Sequence, residues 1–509
     1  MKNRILSFGL SMCFVLAMYG CADELNLAPV SSISDANFWQ TPEQTEAFVN
    51  GIHARFREST SEFIFLGELR ADIFGTEPGI PSTFSGESTE GRERMWEQTL
   101  HQDYAGVSNF GGFYSNINQL NLLISKLSST VELPEEERGY YLGIAHGMRA
   151  FYYFHMLRSW GDVIIQTEPT LTVDVANLAK PASSEEEVMT LIKEDLERSL
   201  NNFGADYSFK NRKGFWSKAA TLMLKAEVYL WTSHRNGGTS DATIARDALV
   251  DIQTNVPSLS LLPEFADVFA SDNKGNAEII FAIRHQLNEA TLPIGTFVPQ
   301  TSLIVNFYDS LEDRKFDANT DNWGGILRMP VTVATFRKFD DQDSRKWTTI
   351  QPAYHLVNGN YQIAGAFAKK YPGEQNAGVR QYTNDFPVYR YADLLLLLAE
   401  AKVLLGEDPS LEINEVRQRA FGANYSVSVH GYPNQPIDAN PLEAILQERL
   451  FEFILEGKRW YDLRRMGDSF VYQHTAVLPS ESYKLLWPID RNTLTNNRAL
   501  EQNPGYAQF

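Results

Sequence analysis

EEERGYYLGIAHGMRAFYYFHMLRSW, residues Glu135 to Trp160, is the stretch that decides the fold. It holds no proline, opens on three acids that suit a helix N-terminus, and places Tyr141, Ile144, Met148, Tyr152 and His155 on one helical face. That spacing predicts one long helix with a buried stripe. Similar periods recur on both sides of it. Thr41-Pro42-Glu43 reads as an N-cap, a proline at the first helical position and an acid in the first turn. Phe48, Ile52 and Phe56 follow at intervals of four, in a helix predicted from Ser34 or Asp35 to about Arg57. Phe113 to Lys126 brings Ile117, Leu120 and Ile124 to one side, with Leu127 just beyond. Ser184-Glu185-Glu186-Glu187 is a capping box leading into Val188, Leu191, Ile192 and Leu196. Trp216 to Trp231, Tyr391 to Leu405 and Leu442 to Lys458 complete the set.

These segments mix aromatic residues with small alanine faces. Small residues let helices approach closely, which suits tetratricopeptide-like stacking of degenerate repeats. Gln286 to Thr383 behaves differently. It is rich in Gly, Pro, Asn, Asp and rings, has no sustained helical period, and carries short strand-like runs such as Arg328 to Thr335. Thr76 to Ser108 is a shorter segment of the same kind. The fold expected is mainly α: a tetratricopeptide-like helical-repeat scaffold with an irregular, loop-rich ligand-binding subdomain. The divisions read as 1–20, 21–285, 286–383 and 384–509.

The chain has 509 residues, 43% of them hydrophobic, enough for a large core, and a formal net charge of −19. Nucleic-acid binders need a basic stripe to displace phosphate counterions, and none is visible. Residues 1–20 read as a signal peptide, with Lys2 and Arg4 ahead of an apolar run from Ile5 to Ala17. Ala17-Met18-Tyr19-Gly20-Cys21 is similar to a bacterial lipobox, which makes Cys21 the expected site of lipid attachment. The other cysteine, Cys13, lies inside the leader, so disulfides and cysteine zinc sites are excluded from the body. Nine histidines are scattered without an HExxH pattern, and no phosphate-cradling loop or nucleophile elbow is present. No metal, cofactor or catalytic residue is expected.

Several stretches, in order, resemble the SusD/RagB family. They are Leu25-Asn26-Leu27-Ala28-Pro29, Ile33 to Trp39, Met148-Arg149-Ala150-Phe151-Tyr152-Tyr153-Phe154 with Trp160-Gly161-Asp162, Asn276 to Ala282, and Phe386 to Asp393. The strongest run is Glu448-Arg449 through Glu452 to Glu456-Gly457-Lys458-Arg459-Trp460-Tyr461-Asp462-Leu463-Arg464-Arg465. Leu486-Trp487-Pro488-Ile489 and Gln502 to Tyr506 close the series. Two departures are Lys458, where the family often carries His, and Asp490, where it often carries Pro. The resemblance implies an outer-membrane lipoprotein, exposed to the cell exterior through acylated Cys21. It implies capture of a glycan and delivery to a SusC-like TonB-dependent transporter, without catalysis. Asp23 and Glu24, directly after Cys21, are similar to the surface-export signal of such lipoproteins. Peptide or another nutrient as cargo is the alternative, and a surface glycosidase a further one. The last requires two convergent carboxylates roughly 5 to 10 Å apart in a cleft.

Sugars need rings for their apolar faces and a few polar groups for their hydroxyls. Trp96, Trp323 and Trp347 lie in irregular segments and are candidate platforms, with Tyr308 beside them. Arg70 and Asp72 are candidates for bracketing hydroxyls, against the plainer reading of a local salt bridge. Glu448, Glu452 and Glu456, spaced by four, read as an ion-pair network with Arg449, Arg459, Arg464 and Arg465, with Trp460 as packing.

Overall fold

The computed structural model describes residues 38–77, 79–80, 82–108, 110–129, 133–171 and 179–508. The leader and Cys21 lie outside the described residues. Helix α1 (Pro42–Glu58) starts where Thr41 forms a capping box with Gln44, so 38–41 stand outside the helix that the sequence placed from Ser34 or Asp35. α2 (Thr60–Glu68) and α3 (Phe110–Ser129) follow. α4 spans Glu135–Trp160 as its period predicts, but the single buried stripe does not hold. From Tyr140 onward every residue except Leu142 is buried, because α3, α5 and α6 all pack against it. A helix covered on several sides loses its polar face.

α5 (Glu185–Phe203) carries the predicted capping box between Ser184 and Glu187. α6 (Lys218–Thr232) passes through a π-turn into α7 (Gly238–Asn255). α8 (Tyr391–Leu405), α9 (Ser410–Phe421), α10 (Pro441–Phe453) and α11 (Arg459–Met466) form the C-terminal half of the stack. The packing order is a chain: α3 on α4, α4 on α5, α5 on α6, α6 on α7, α7 on α8, then α8 on α9 and α10, and α11 back on α2. This is the tetratricopeptide-like scaffold.

Strand β1 (Ile279–Ile283) pairs antiparallel with β8 (Phe386–Arg390), which runs straight into α8. The chain between them therefore leaves and re-enters the helical stack at one place. It is more regular than its composition implies. β2 (Tyr308–Asp309), β3 (Arg314–Lys315), β4 (Ile350–Val357) and β5 (Asn360–Ala368) form one antiparallel sheet in the order β3-β2-β4-β5. β6 (Glu374–Asn376) and β7 (Val379–Gln381) make a hairpin. The expected strand at Arg328 to Thr335 is absent: Val331 makes isolated bridges only, and Val333–Lys338 is a short helix capped by Thr332.

The glutamates of the C-terminal motif are buried and ion-paired, but not with the arginines next to them in sequence. α10 ends at Phe453 and Leu455 takes a φ of 64°, so Glu456 leaves the helix and the α11 arginines project elsewhere. Arg390, fully buried, pairs with Glu278 at 2.7 Å, Glu452 at 2.6 Å and Glu456 at 2.9 Å. Arg345 reaches Glu448 and Glu452, Arg419 reaches Glu278 and Glu452, Arg417 reaches Glu448, and Lys370 reaches Glu456. Of the neighbouring arginines, Arg449 pairs with Asp393 and Asp462, and Arg465 with Glu400 and Asp462. Arg459 pairs with Asp72, and Arg464 donates to the carbonyls of Arg158 and Leu485.

These pairs make stability acid-sensitive. Burial alone would raise the Asp393 carboxyl, but Lys458 and Arg449 outweigh it and hold it at about 2, below its ordinary 3.8. A depressed carboxylate stabilises the fold above its unfolded value and loses that contribution as pH falls through the folded value. For Asp393 this is about 2 kcal/mol, lost between about pH 4 and pH 2. Thermal melts across that window should show a steep fall for the native chain. Asp393→Asn should melt lower at about pH 4 and fall less steeply, the two converging near about pH 2; equal slopes would remove Asp393 from the account.

Candidate ligand-binding face

The two loop-rich segments meet on β5. The amide of Gly75 donates to the carbonyl of Pro330, Thr332 to Ile73, and Val331 to Ala366, each at 3.0 Å. Arg328 ties the far side of the loop down: it donates to the Ser88 carbonyl at 2.6 Å and to Glu90 at 2.9 Å. Phe84 then lies edge-on to Phe307, with centroids 5.3 Å apart, and presses on Gly365. A Cβ at Gly365 would sit 2.4 Å from Phe84 carbons, so only glycine admits the ring there.

Between these walls runs a cleft of about 510 Å³. Ile80, 50% exposed, and Phe84 supply apolar surface, while Thr76, Ser82, Thr83 and Thr332 supply hydroxyls. The Thr76 hydroxyl is buried without a hydrogen-bond partner among the described residues. Glu77 is the one carboxylate in the lining among the described residues.

The opposite face of the same sheet carries three half-buried tyrosines. Tyr308 stands opposite Tyr354 in the strand register, and the Tyr361 ring lies 6.2 Å from Tyr308 and 5.8 Å from Tyr354. Tyr361 donates its hydroxyl to Asp313 at 2.5 Å, and this bond pushes its phenol up to about 12. Leu356, exposed near the hairpin tip, stands opposite Tyr361. Period-two alternation puts Tyr354 and Leu356 on one face. The sequence reading picked out Tyr308 and missed its two companions.

The residues singled out from sequence do not converge. Trp96 is half-buried behind the cleft, 3.7 Å from the Cβ position of Gly75, and its indole N–H has no partner among the described residues. Trp323 stands edge-on to Phe367 at 5.4 Å, under the Arg380 guanidinium at 4.7 Å. Trp347 sits on the short helix Ser344–Thr349, edge-on to Phe336 at 5.6 Å, and donates to the Asp341 carbonyl at 2.9 Å. Arg70 is 1% exposed, wedged between Trp460 and Trp487, and donates to Gln98 and to the carbonyls of Lys484 and Leu486. Asp72 pairs with Arg459 and Lys338; burial would raise its carboxyl, but these cations hold it well below the usual range. Arg70 and Asp72 thus make no pair with each other. Both tie the base of the first loop segment to the rest of the fold.

A model of the SusD family matches residues 332–506. A solved SusD superfamily protein from Bacteroides vulgatus is 41% identical, with 92% of this chain and all of that chain aligned at a TM-score of 0.84. The chain belongs to the SusD family. Among other SusD relatives, B. fragilis NanU is 44% identical over 94% of this chain and all of its own, with a TM-score of 0.87. The starch-binding protein SusD of Bacteroides thetaiotaomicron is 32% identical over 130 residues, 24% of this chain and 22% of that protein. The family match takes in β4, β5 and the C-terminal helices, so it covers one wall of the cleft and most of the buried ionic network, with Glu278 outside it.

Proposed function

We propose that this SusD-family chain captures an oligosaccharide at the cell surface and passes it, uncut, to a SusC-like TonB-dependent transporter. The observation that carries the reading is the cleft between the two loop segments. It combines apolar surface from Ile80 and Phe84 with a row of threonine and serine hydroxyls. A sugar ring offers an apolar face and a rim of hydroxyls that both donate and accept, which that lining matches. The tyrosine face, on the other side of the same sheet, extends the ring-bearing surface that a longer chain could follow. The starch-binding relative supports the same class of cargo. Glycoside hydrolysis needs a pair of carboxylates. Glu77 alone lines the cleft among the described residues, which favours binding over cleavage.

The same reading places acyl chains on Cys21. No helix among the described residues is long and apolar enough to cross a membrane. Two or three acyl chains would give stable attachment where one gives only marginal binding.

Calorimetry of the purified chain against a panel of neutral oligosaccharides tests the cargo. Phe84→Ala, Tyr354→Ala and Tyr361→Ala, with Trp96→Ala, Trp323→Ala and Trp347→Ala alongside, should include variants that weaken binding about tenfold or more. Undiminished binding in all six would remove the site, and selective binding of peptides instead would replace the cargo. Mass spectrometry of the chain from its native envelope tests the anchor: Cys21 should carry acyl chains, and Cys21→Ala should release the chain from the membrane fraction. An unmodified Cys21 would contradict it.

A further inference from the structure

A second concavity, of about 560 Å³, lies between the segment 102–108 and the short helix Arg491–Asn496. It shares no lining residue with the cleft. We infer that this bowl is a separate binding site for a neutral polyhydroxy ligand, one sugar residue in size. Arg92, Gln102 and Asn492 bring polar side chains to a rim whose charges cancel.

The charges decide the ligand's class. Arg92, Arg491, Asp103 and Asp490 all line the bowl, two of each sign. Both carboxylates are already occupied. Asp103 is paired with Arg491, and Asp490 accepts from the Thr493 amide at 3.0 Å and the Thr493 hydroxyl at 2.7 Å. A cation would have to displace one of these bonds, and an anion would meet both acids. A neutral polar molecule meets neither cost.

The hydrogen-bonding groups decide the rest. Arg92 has no carboxylate partner among the described residues; its contact to the Tyr104 hydroxyl is long, at 3.5 Å. Its Nε is buried without a partner among the described residues. Among the described residues the Gln102 amide makes no side-chain hydrogen bond, and its oxygen is buried without a partner. The accessible end of that amide can be turned to offer the bowl a donor or an acceptor. Asn492 accepts weakly on its oxygen, at 3.5 Å from Asn496, and its amide nitrogen has no hydrogen bond among the described residues. The Tyr104 hydroxyl donates to the Glu90 carbonyl at 3.0 Å and keeps acceptor capacity. Donors and acceptors therefore share a space within the usual range of small-molecule sites, about 300–1,000 Å³. Vicinal hydroxyls, each able to donate and accept, satisfy such a rim. Asp490, a departure from the family's usual proline, is the residue that caps the helix forming one side of the bowl.

The site stands independently of the cleft, and one experiment separates the two. Saturation-transfer difference NMR on the full purified chain would use glucose, galactose, mannose and N-acetylglucosamine, singly and as short oligomers. In a Phe84→Ala/Tyr361→Ala chain, at least one monosaccharide should still give signals. Adding Gln102→Leu or Arg92→Gln should weaken that binding about tenfold. Thermal melts check that each variant folds, and if Arg92→Gln does not, Gln102→Leu decides alone. No signal in the cleft-disabled chain, or signals indifferent to both bowl substitutions, would overturn the inference. Loss confined to the bowl variants would uphold it even if the cleft bound nothing.

Discussion

Arg390 is the point on which the architecture turns. Its guanidinium sits at the joint between β8 and α8, fully buried, and pairs with carboxylates from three places: Glu278 ahead of β1, Glu452 near the end of α10, and Glu456 in the turn after it. A buried ion network of this kind adds little net stability relative to an apolar core, because desolvation consumes most of the attraction. What it supplies is geometry. Removing one partner strands the others in a medium that cannot solvate them, typically at about 3–5 kcal/mol, so misregistered arrangements are strongly penalised. Glu68 extends the same logic by accepting backbone N–H bonds from Leu455, Glu456 and Gly457, which fastens the N-terminal helices to the C-terminal turn.

That geometry serves the loops. The chain between β1 and β8 departs from and returns to the helical stack beside Arg390, so its sheet is held at a fixed base. Asp72 with Arg459, and Arg70 between two tryptophans, do the same for the shorter loop segment. The helices thus act as a rigid frame, and the surfaces free to meet a ligand are built on irregular chain. Binding residues commonly sit on loops carried by a stiff scaffold, since the loops can vary without unsettling the core.

Much of the frame was legible in the sequence. α4 and α8 were found from end to end, and α5 at its N-terminal cap, because caps and periods are local signals. The ionic network was legible in kind but not in detail. Glu448, Glu452 and Glu456 were recognised as paired, yet their main partners are Arg345, Arg390, Arg417, Arg419 and Lys370, brought in from other elements. A helix end at Phe453, followed by a left-handed Leu455, breaks the spacing on which the local pairing relied. The loop region hid a signal that could have been read. Asn358-Gly359, both with positive φ, make the tight turn joining β4 to β5, and such a pair between alternating strands marks a hairpin. Tyr354 and Tyr361 would have followed from it. The cleft itself was not legible, because Phe84 and Gly365 are nearly three hundred residues apart in sequence and meet only through tertiary contact.

The central claim is that cargo is gripped by the loop-built half while the helical stack stays passive. Hydrogen–deuterium exchange of the full chain, with and without a saturating oligosaccharide, tests it most directly. The account predicts new protection in 75–86, 330–334 and 354–366, with α5, α6 and α7 unchanged. Protection confined to those helices, with the loop segments exchanging as before, would contradict it.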